Sequence, residues 1–210
     1  MNLDDLIANE SIAPQGADVL RSIGRSGKSF LVHALPRDAG KTTVVQAILG
    51  ESAPEIPRHE FFGTAEEVTA LTGTPARGYL LVAEIGHRGR PGYLAGDEVP
   101  PIFDLVAAGY SLASSLHADS VEEVFEVLAA NGVPASAASA IPYLIKIRMI
   151  TNETGTHVRR VVDAIHQIDT AKGSGAAAAV LLYRWDGKPQ GTAESWVAAP
   201  VHHHPRGRRP

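Results

Sequence analysis

Residues 30–49 read FLVHALPRDAGKTTVVQAIL. Phe30, Leu31 and Val32, running on to Ala34, form a short apolar run that reads as a buried strand. Leu35 to Gly40 is a tight segment, and Lys41-Thr42-Thr43 follows it. Val44, Val45, Ala47, Ile48 and Leu49 then recur at helical spacing. Strand, phosphate-sized loop and helix is the setting in which Gly-Lys-Thr works as a nucleotide-binding loop, because backbone N–H groups and the helix dipole favour an anion there. In that reading Pro36, Arg37, Ala39, Gly40, Lys41, Thr42 and Thr43 contact the nucleotide. Lys41 reaches the β- and γ-phosphates as a point charge, and the Thr42 hydroxyl ligates Mg²⁺.

The loop departs from G-x-x-x-x-G-K-[ST] at its first position, where this chain has Leu35. Asp38 sits where many such loops carry another glycine, which suits a backbone that must turn with positive φ. Just upstream, Gly24 to Ser29 (GRSGKS) also ends in Gly-Lys-Ser, but a strand follows it instead of a helix, so it is expected to be a polar turn.

Two further stretches place chemistry at strand ends. Gly78 to Ile85 (GYLLVAEI) is a continuous apolar run, expected as one strand covered on both faces and ending in the carboxylate Glu84. The C-terminal mouth of a parallel sheet is where ligands bind, so Glu84 is a candidate to orient water or support Mg²⁺; the alternative is an acid facing solvent. Tyr110 to Leu116 forms another strand, followed by His117, positioned to sense a γ-phosphate or to serve structurally. The lysine turn, the acid and the imidazole are thus expected at one rim of a single parallel sheet.

The rest of the chain frames these pieces. Residues 3–9 and 15–24 carry one apolar face each and read as helices. Residues 59–63 suit a short strand, and Thr64 to Glu67 is a capping box opening a helix to about Leu71. Residues 86–101 are rich in Gly and Pro and read as loop. Arg88 and Arg90 in it are either solvated or reach a phosphate, locally or across a subunit boundary. A short helix spans 102–108, and Ser120 to Glu123 is a second capping box. Residues 143–150, 157–168 and 178–185 suggest a three-stranded antiparallel meander at the sheet edge. Arg159 and Arg160 there are either a solvated strand face or a contact to a partner or nucleotide. The His- and Arg-rich end, residues 191–210, is expected to be a disordered basic tail.

Bulk composition limits the function classes. The 210 residues are 44% hydrophobic and 20% charged, enough for one buried core. A net charge of −4 supplies no global basic field, so no nucleic-acid partner is expected. The absence of cysteine removes disulfides and Cys-based zinc sites. No run approaches the ~20 apolar residues of a membrane span, and the acidic start MNLDDLIANE is no signal peptide, so a cytoplasmic location is expected.

In this order, Gly40-Lys41-Thr42-Thr43, Leu80 to Ile85 (LLVAEI), and Gly109-Tyr110 through Ser114-Ser115-Leu116-His117-Ala118 resemble the motor ATPases of type II and type IV secretion and pilus assembly. Arg159-Arg160-Val161-Val162 and Ile168-Asp169 look like that family's C-terminal sheet region. The resemblance runs from about residue 29 to 169. It implies a RecA-type P-loop NTPase fold: a mostly parallel sheet flanked by helices, with the meander at the end. It implies ATP with Mg²⁺ as ligands, Glu84 as the catalytic glutamate, His117 as the histidine-box residue, a ring-shaped homo-oligomer, and secretion or pilus machinery as partners. Under it, residues 1–28 are N-terminal helices and 29–190 the ATPase domain. An N-terminal domain supplying arginines across the ring has no room in 1–28, and only Glu60 stands near the expected acidic box. Two other readings remain: a catalytically weak nucleotide-binding or protein-interaction regulatory homologue, for which Leu35 and Asp38 argue, and a small-molecule P-loop kinase, which needs an arginine-rich lid and acceptor pocket that are not identifiable.

Overall fold

A computed structural model describes residues 1–74, 78–86, 93–152, 158–169, 178–186 and 196–198. Arg88, Arg90 and most of the expected tail lie outside the described residues. The chain opens with helices α1 (Leu3–Ala8) and α2 (Pro14–Ser26), then strand β1 (Phe30–His33) and helix α3 (Lys41–Leu49). Strand β2 (Arg58–Glu60), helix α4 (Ala65–Thr72) and strands β3 (Tyr79–Leu81), β4 (Glu84–Ile85) and β5 (Tyr93–Leu94) follow. Helix α5 (Pro100–Ala107), strand β6 (Ser111–Leu116) and helices α6 (Val121–Ala130) and α7 (Ala135–Ala138) lead to β7 (Tyr143–Asn152), β8 (Val158–Asp169), β9 (Ala178–Arg184) and β10 (Trp196–Ala198).

The described strands form one mixed sheet with the order β2-β3-β6-β1-β7-β8-β9. Pairing is parallel from β2 through to β7. It turns antiparallel at β7-β8 and β8-β9, so the meander extends the sheet by hydrogen bonding, with Phe30 opposite Tyr143. Residues 196–198, expected in the disordered tail, instead add β10 antiparallel to the far half of β7.

Alternation along β1 explains why a strand this short is so apolar. Phe30 and Val32 face a cluster containing Leu3, Leu20, Ile23, Val44 and Ile48, whereas Leu31 faces one containing Leu80, Ile102, Leu105, Val124 and Leu128. Both faces are therefore dry, as expected of a central parallel strand. Burying each such side chain contributes about 1.5–3 kcal/mol. The segment 24–29, expected as a polar turn, is divided: Gly24 to Ser26 complete α2 and Gly27 ends it in the left-handed conformation, φ 66. Gly24 lets α2 and α3 touch, since a Cβ there would lie 2.4 Å from the Ile48 carbonyl oxygen.

Caps follow the sequence closely. At α4 the Thr64 hydroxyl accepts from Glu67 N–H, and the Glu67 carboxylate accepts from Thr64 N–H. At α6 only half of the expected box forms: Ser120 accepts from Glu123 N–H, but the Glu123 carboxylate takes the Asp119 N–H one residue earlier. The single strand expected over 78–85 is interrupted at Val82-Ala83. Ala83 is exposed, and its carbonyl accepts from the Ser115 hydroxyl at 2.9 Å. After this irregularity β4 resumes beside β6, with Ile85 opposite Leu116. No helix among the described residues is long and apolar enough to cross a membrane.

Candidate functional site

Three neighbouring chain segments end at one rim of the sheet. β1 and β6 run in register, His33 opposite Leu116, so the loop after β1 and His117 after β6 leave the sheet side by side. The break at Ala83 brings Glu84 to the same rim as the first residue of β4.

The loop closes on Gly40, which has φ 89 and precedes Lys41, the first residue of α3. No side chain caps this helix, so its first N–H groups keep their capacity for an anion. Asp38 takes φ 56, the left-handed conformation for which a glycine would be better suited. It is anchored from across the sheet by Arg160, whose Nε donates to the Asp38 carbonyl at 2.6 Å.

Lys41, Glu84 and His117 meet. Lys41 Nζ lies 3.5 Å from Glu84 Oε2 and 3.5 Å from His117 Nδ1. His117 Nε2 lies 2.8 Å from Glu84 Oε1, and its Nδ1 faces the Leu35 carbonyl at 3.0 Å. The two ring nitrogens thus face oxygen acceptors on opposite sides. The approach to Glu84 Oε1 has ion-pair distance without hydrogen-bond alignment, so this buried oxygen retains accepting capacity. The Lys41 and Glu84 side chains are 7% and 5% exposed, which excludes a Glu84 that merely faces solvent.

The electrostatics follow from this burial. Burial alone would push the Glu84 carboxyl up, but contact with His117 and the Lys41 charge together hold it below the ordinary carboxylate range. Burial pushes the Lys41 ammonium down, and the attraction of Glu84 offsets only part of that. Behind them His33 is fully buried, with Nδ1 3.0 Å from the Ala118 carbonyl; burial holds its pKa down to about 4.

These groups open onto a cleft of about 610 Å³. Arg37, Ala39, Gly40, Lys41, Thr42, Thr43, Glu84 and His117 line it, whereas Pro36 stands outside its wall. Asn9, Ser11 and Tyr93 also line it without a sequence signal, and so does Arg160, for which the sequence leaves a solvated strand face and a contact to a partner or nucleotide both open. The N-terminal segment is fastened there by the Ser11 carbonyl, which accepts from Val162 N–H at 2.8 Å, and by an ion pair between Glu10 and Arg159. Thr42 is exposed at the start of α3 and lines the cleft. Among the described residues no group of three His, Asp or Glu side chains forms a metal cage. A Mg²⁺ held mainly by phosphate oxygens and water, with one hydroxyl ligand from the protein, is compatible with that donor set.

No family model matches the chain, and no curated protein matches it by sequence. By structure it is similar to the VirB11 ATPase of the Brucella suis type IV secretion system, solved in complex with sulphate. That match has TM-score 0.51 and 18% identity, over 75% of this chain and 53% of that one. It is also similar to the Legionella pneumophila ATPase DotB, with TM-score 0.50 and 15% identity over 81% of this chain and 52% of that one. The chain spans about half the length of these two structures. At such identity the likeness establishes a shared fold, the mixed α/β sheet with its antiparallel end.

Proposed function

We propose that this chain is a nucleotide-binding motor-type domain that binds MgATP at residues 37–43 and hydrolyses it to ADP and phosphate. Residues 29–190 form the RecA-type P-loop ATPase domain in this reading, joined by β10 (Trp196–Ala198), with residues 1–28 its N-terminal helices and the remainder of 191–210 a basic tail. The observation that carries the proposal is the convergence of Lys41, Glu84 and His117 within 3.5 Å at the end of an uncapped helix. The fold shared with two ATPases, one of them crystallised with a tetrahedral dianion, supports the same assignment.

Each residue then has a role set by its chemistry. The α3 N–H groups and Lys41 hold the β- and γ-phosphates, and Thr42 supplies a ligand to Mg²⁺. Mg²⁺, when bound, neutralises charge developing on the phosphates. Glu84, kept ionised, uses Oε1 to orient water for in-line attack and accepts its proton. His117, 2.8 Å from that oxygen, reports the γ-phosphate to the loop through the Leu35 carbonyl. Work on a partner in secretion or pilus machinery, a homo-oligomeric ring and a cytoplasmic site of action belong to the same proposal. Phosphate release by wild type, reduced about a hundredfold or more in Glu84→Gln, is the expected result; equal release by both proteins would refute hydrolysis at this site.

A regulatory homologue with little turnover is the second reading. It is favoured by the Lys41–Glu84 pair, which occupies the lysine before any phosphate does, and by a carboxylate at position 38. Nucleotide binding without phosphate release would select it.

A further inference from the structure

We propose that Arg160 is a second phosphate-binding cation of this site, bracing the phosphate loop through Nε and offering Nη1 and Nη2 to the terminal phosphate. The inference rests on the nucleotide reading given above.

Four observations meet at this side chain. Arg160 lies on β8, across the sheet from the loop, yet its Nε donates to the Asp38 carbonyl at 2.6 Å. Its stem runs along the loop: a Cβ added at Gly40 would lie 3.4 Å from Arg160 Cδ. Arg160 lines the same cleft as Lys41 and Glu84. Among the described residues, Nη1 and Nη2 make no hydrogen bond, so the planar end of the fork is uncommitted. The neighbouring Arg159 is different, being engaged with Glu10.

The chemistry of the loop gives this arginine something to correct. Asp38 places a carboxylate beside a site proposed to take up several negative charges. Lys41, the one cation inside the loop's own consensus, is already paired with Glu84. A guanidinium is always charged, and its fork matches phosphate oxygens in a bidentate way. It also holds, by a carbonyl, the one non-glycine residue of the loop that adopts positive φ. A lysine at 160 would keep the charge but lose the geometry needed to hold the carbonyl and the anion together.

The test is calorimetric titration of wild type, Arg160→Ala and Arg160→Lys with ATP, ADP and AMP in MgCl₂. Arg160→Ala is expected to weaken ATP about tenfold or more, ADP less, and AMP by under about twofold, with Arg160→Lys recovering only part of the ATP loss. ATP binding by Arg160→Ala equal to wild type, or an equal loss for ATP and AMP, would overturn the proposal. Should Arg160→Ala fail to fold, Arg160→Met keeps the stem and reads the same contrast. Wild type that binds none of the three nucleotides would instead overturn the nucleotide reading, and this inference with it.

Discussion

The Lys41 ammonium stands 3.5 Å from the Glu84 carboxylate, with both side chains almost completely buried. Neither residue can change state without the other. In the proposed reading, a phosphate entering the cleft would compete with Glu84 for the same three N–H donors, and a base at position 84 would be freed only as Lys41 is drawn towards the phosphate. Binding and activation of Glu84 would thereby be coupled through one charge pair.

Glu84→Gln is therefore expected to separate the two roles. The neutral amide keeps the volume but releases Lys41, so ATP should bind severalfold more tightly than in wild type while phosphate release falls. The same substitution leaves a buried ammonium without its counter-charge, a loss on the order of 1–3 kcal/mol in chemical denaturation. Titration and denaturation of the two proteins check both effects.

Asp38→Gly is expected to improve the loop as an anion site. The position already has φ 56, which glycine adopts freely, and the substitution deletes a negative charge at the cleft. ATP affinity should rise severalfold, with stability changed by less than about 1 kcal/mol because glycine's greater unfolded-state freedom opposes the relief of strain.

Gly40→Ala should act in the opposite sense. Gly40 has φ 89, and its added Cβ would meet Arg160 Cδ at 3.4 Å. The strain of a side chain in that conformation is about 1–3 kcal/mol. A lower melting temperature and weakened nucleotide binding are expected together, because the helix start itself must move.

Acid sensitivity should come from two groups with the same sign. His33 has its folded pKa lowered from 6.5 to about 4, so the native state holds fewer protons than the unfolded state between those values. Stability therefore falls as pH drops through that window, by about 2 kcal/mol from this residue between pH 7 and pH 5. Glu84, held below its ordinary value, contributes stability that is complete above the unfolded pKa and is lost only as pH falls through the lower folded one. Urea denaturation at pH 7 and pH 5 should show the loss in wild type and a smaller loss in His33→Asn. Equal losses would contradict the assignment to His33.

Much of this site is legible in the sequence, for physical reasons that differ by residue. The run Phe30 to Ala34 followed by helical spacing after Lys41 fixes strand, loop and helix, because a strand dry on both faces must be largely apolar, its one polar member His33 being held at the Ala118 carbonyl. Glu84 and His117 were legible because a polar residue ending such a run has only the sheet's rim to occupy. The interruption at Ala83 was not, since the hydroxyl that holds its carbonyl belongs to Ser115, 32 residues away. Arg160 lies 122 residues from the carbonyl it holds, so alternation along β8 leaves open whether it is a solvated position or a contact to a nucleotide or partner. The docking of the N-terminal segment through Glu10 and Ser11 was hidden in the same way, as was β10, in a stretch whose composition reads as a tail.

Titration of ATP in Mg²⁺ against wild type and Lys41→Ala tests the placement of the site most directly. Saturable binding by wild type, weakened about a hundredfold or more in a folded Lys41→Ala, is the expected result. Undiminished binding by Lys41→Ala would show that the nucleotide sits elsewhere.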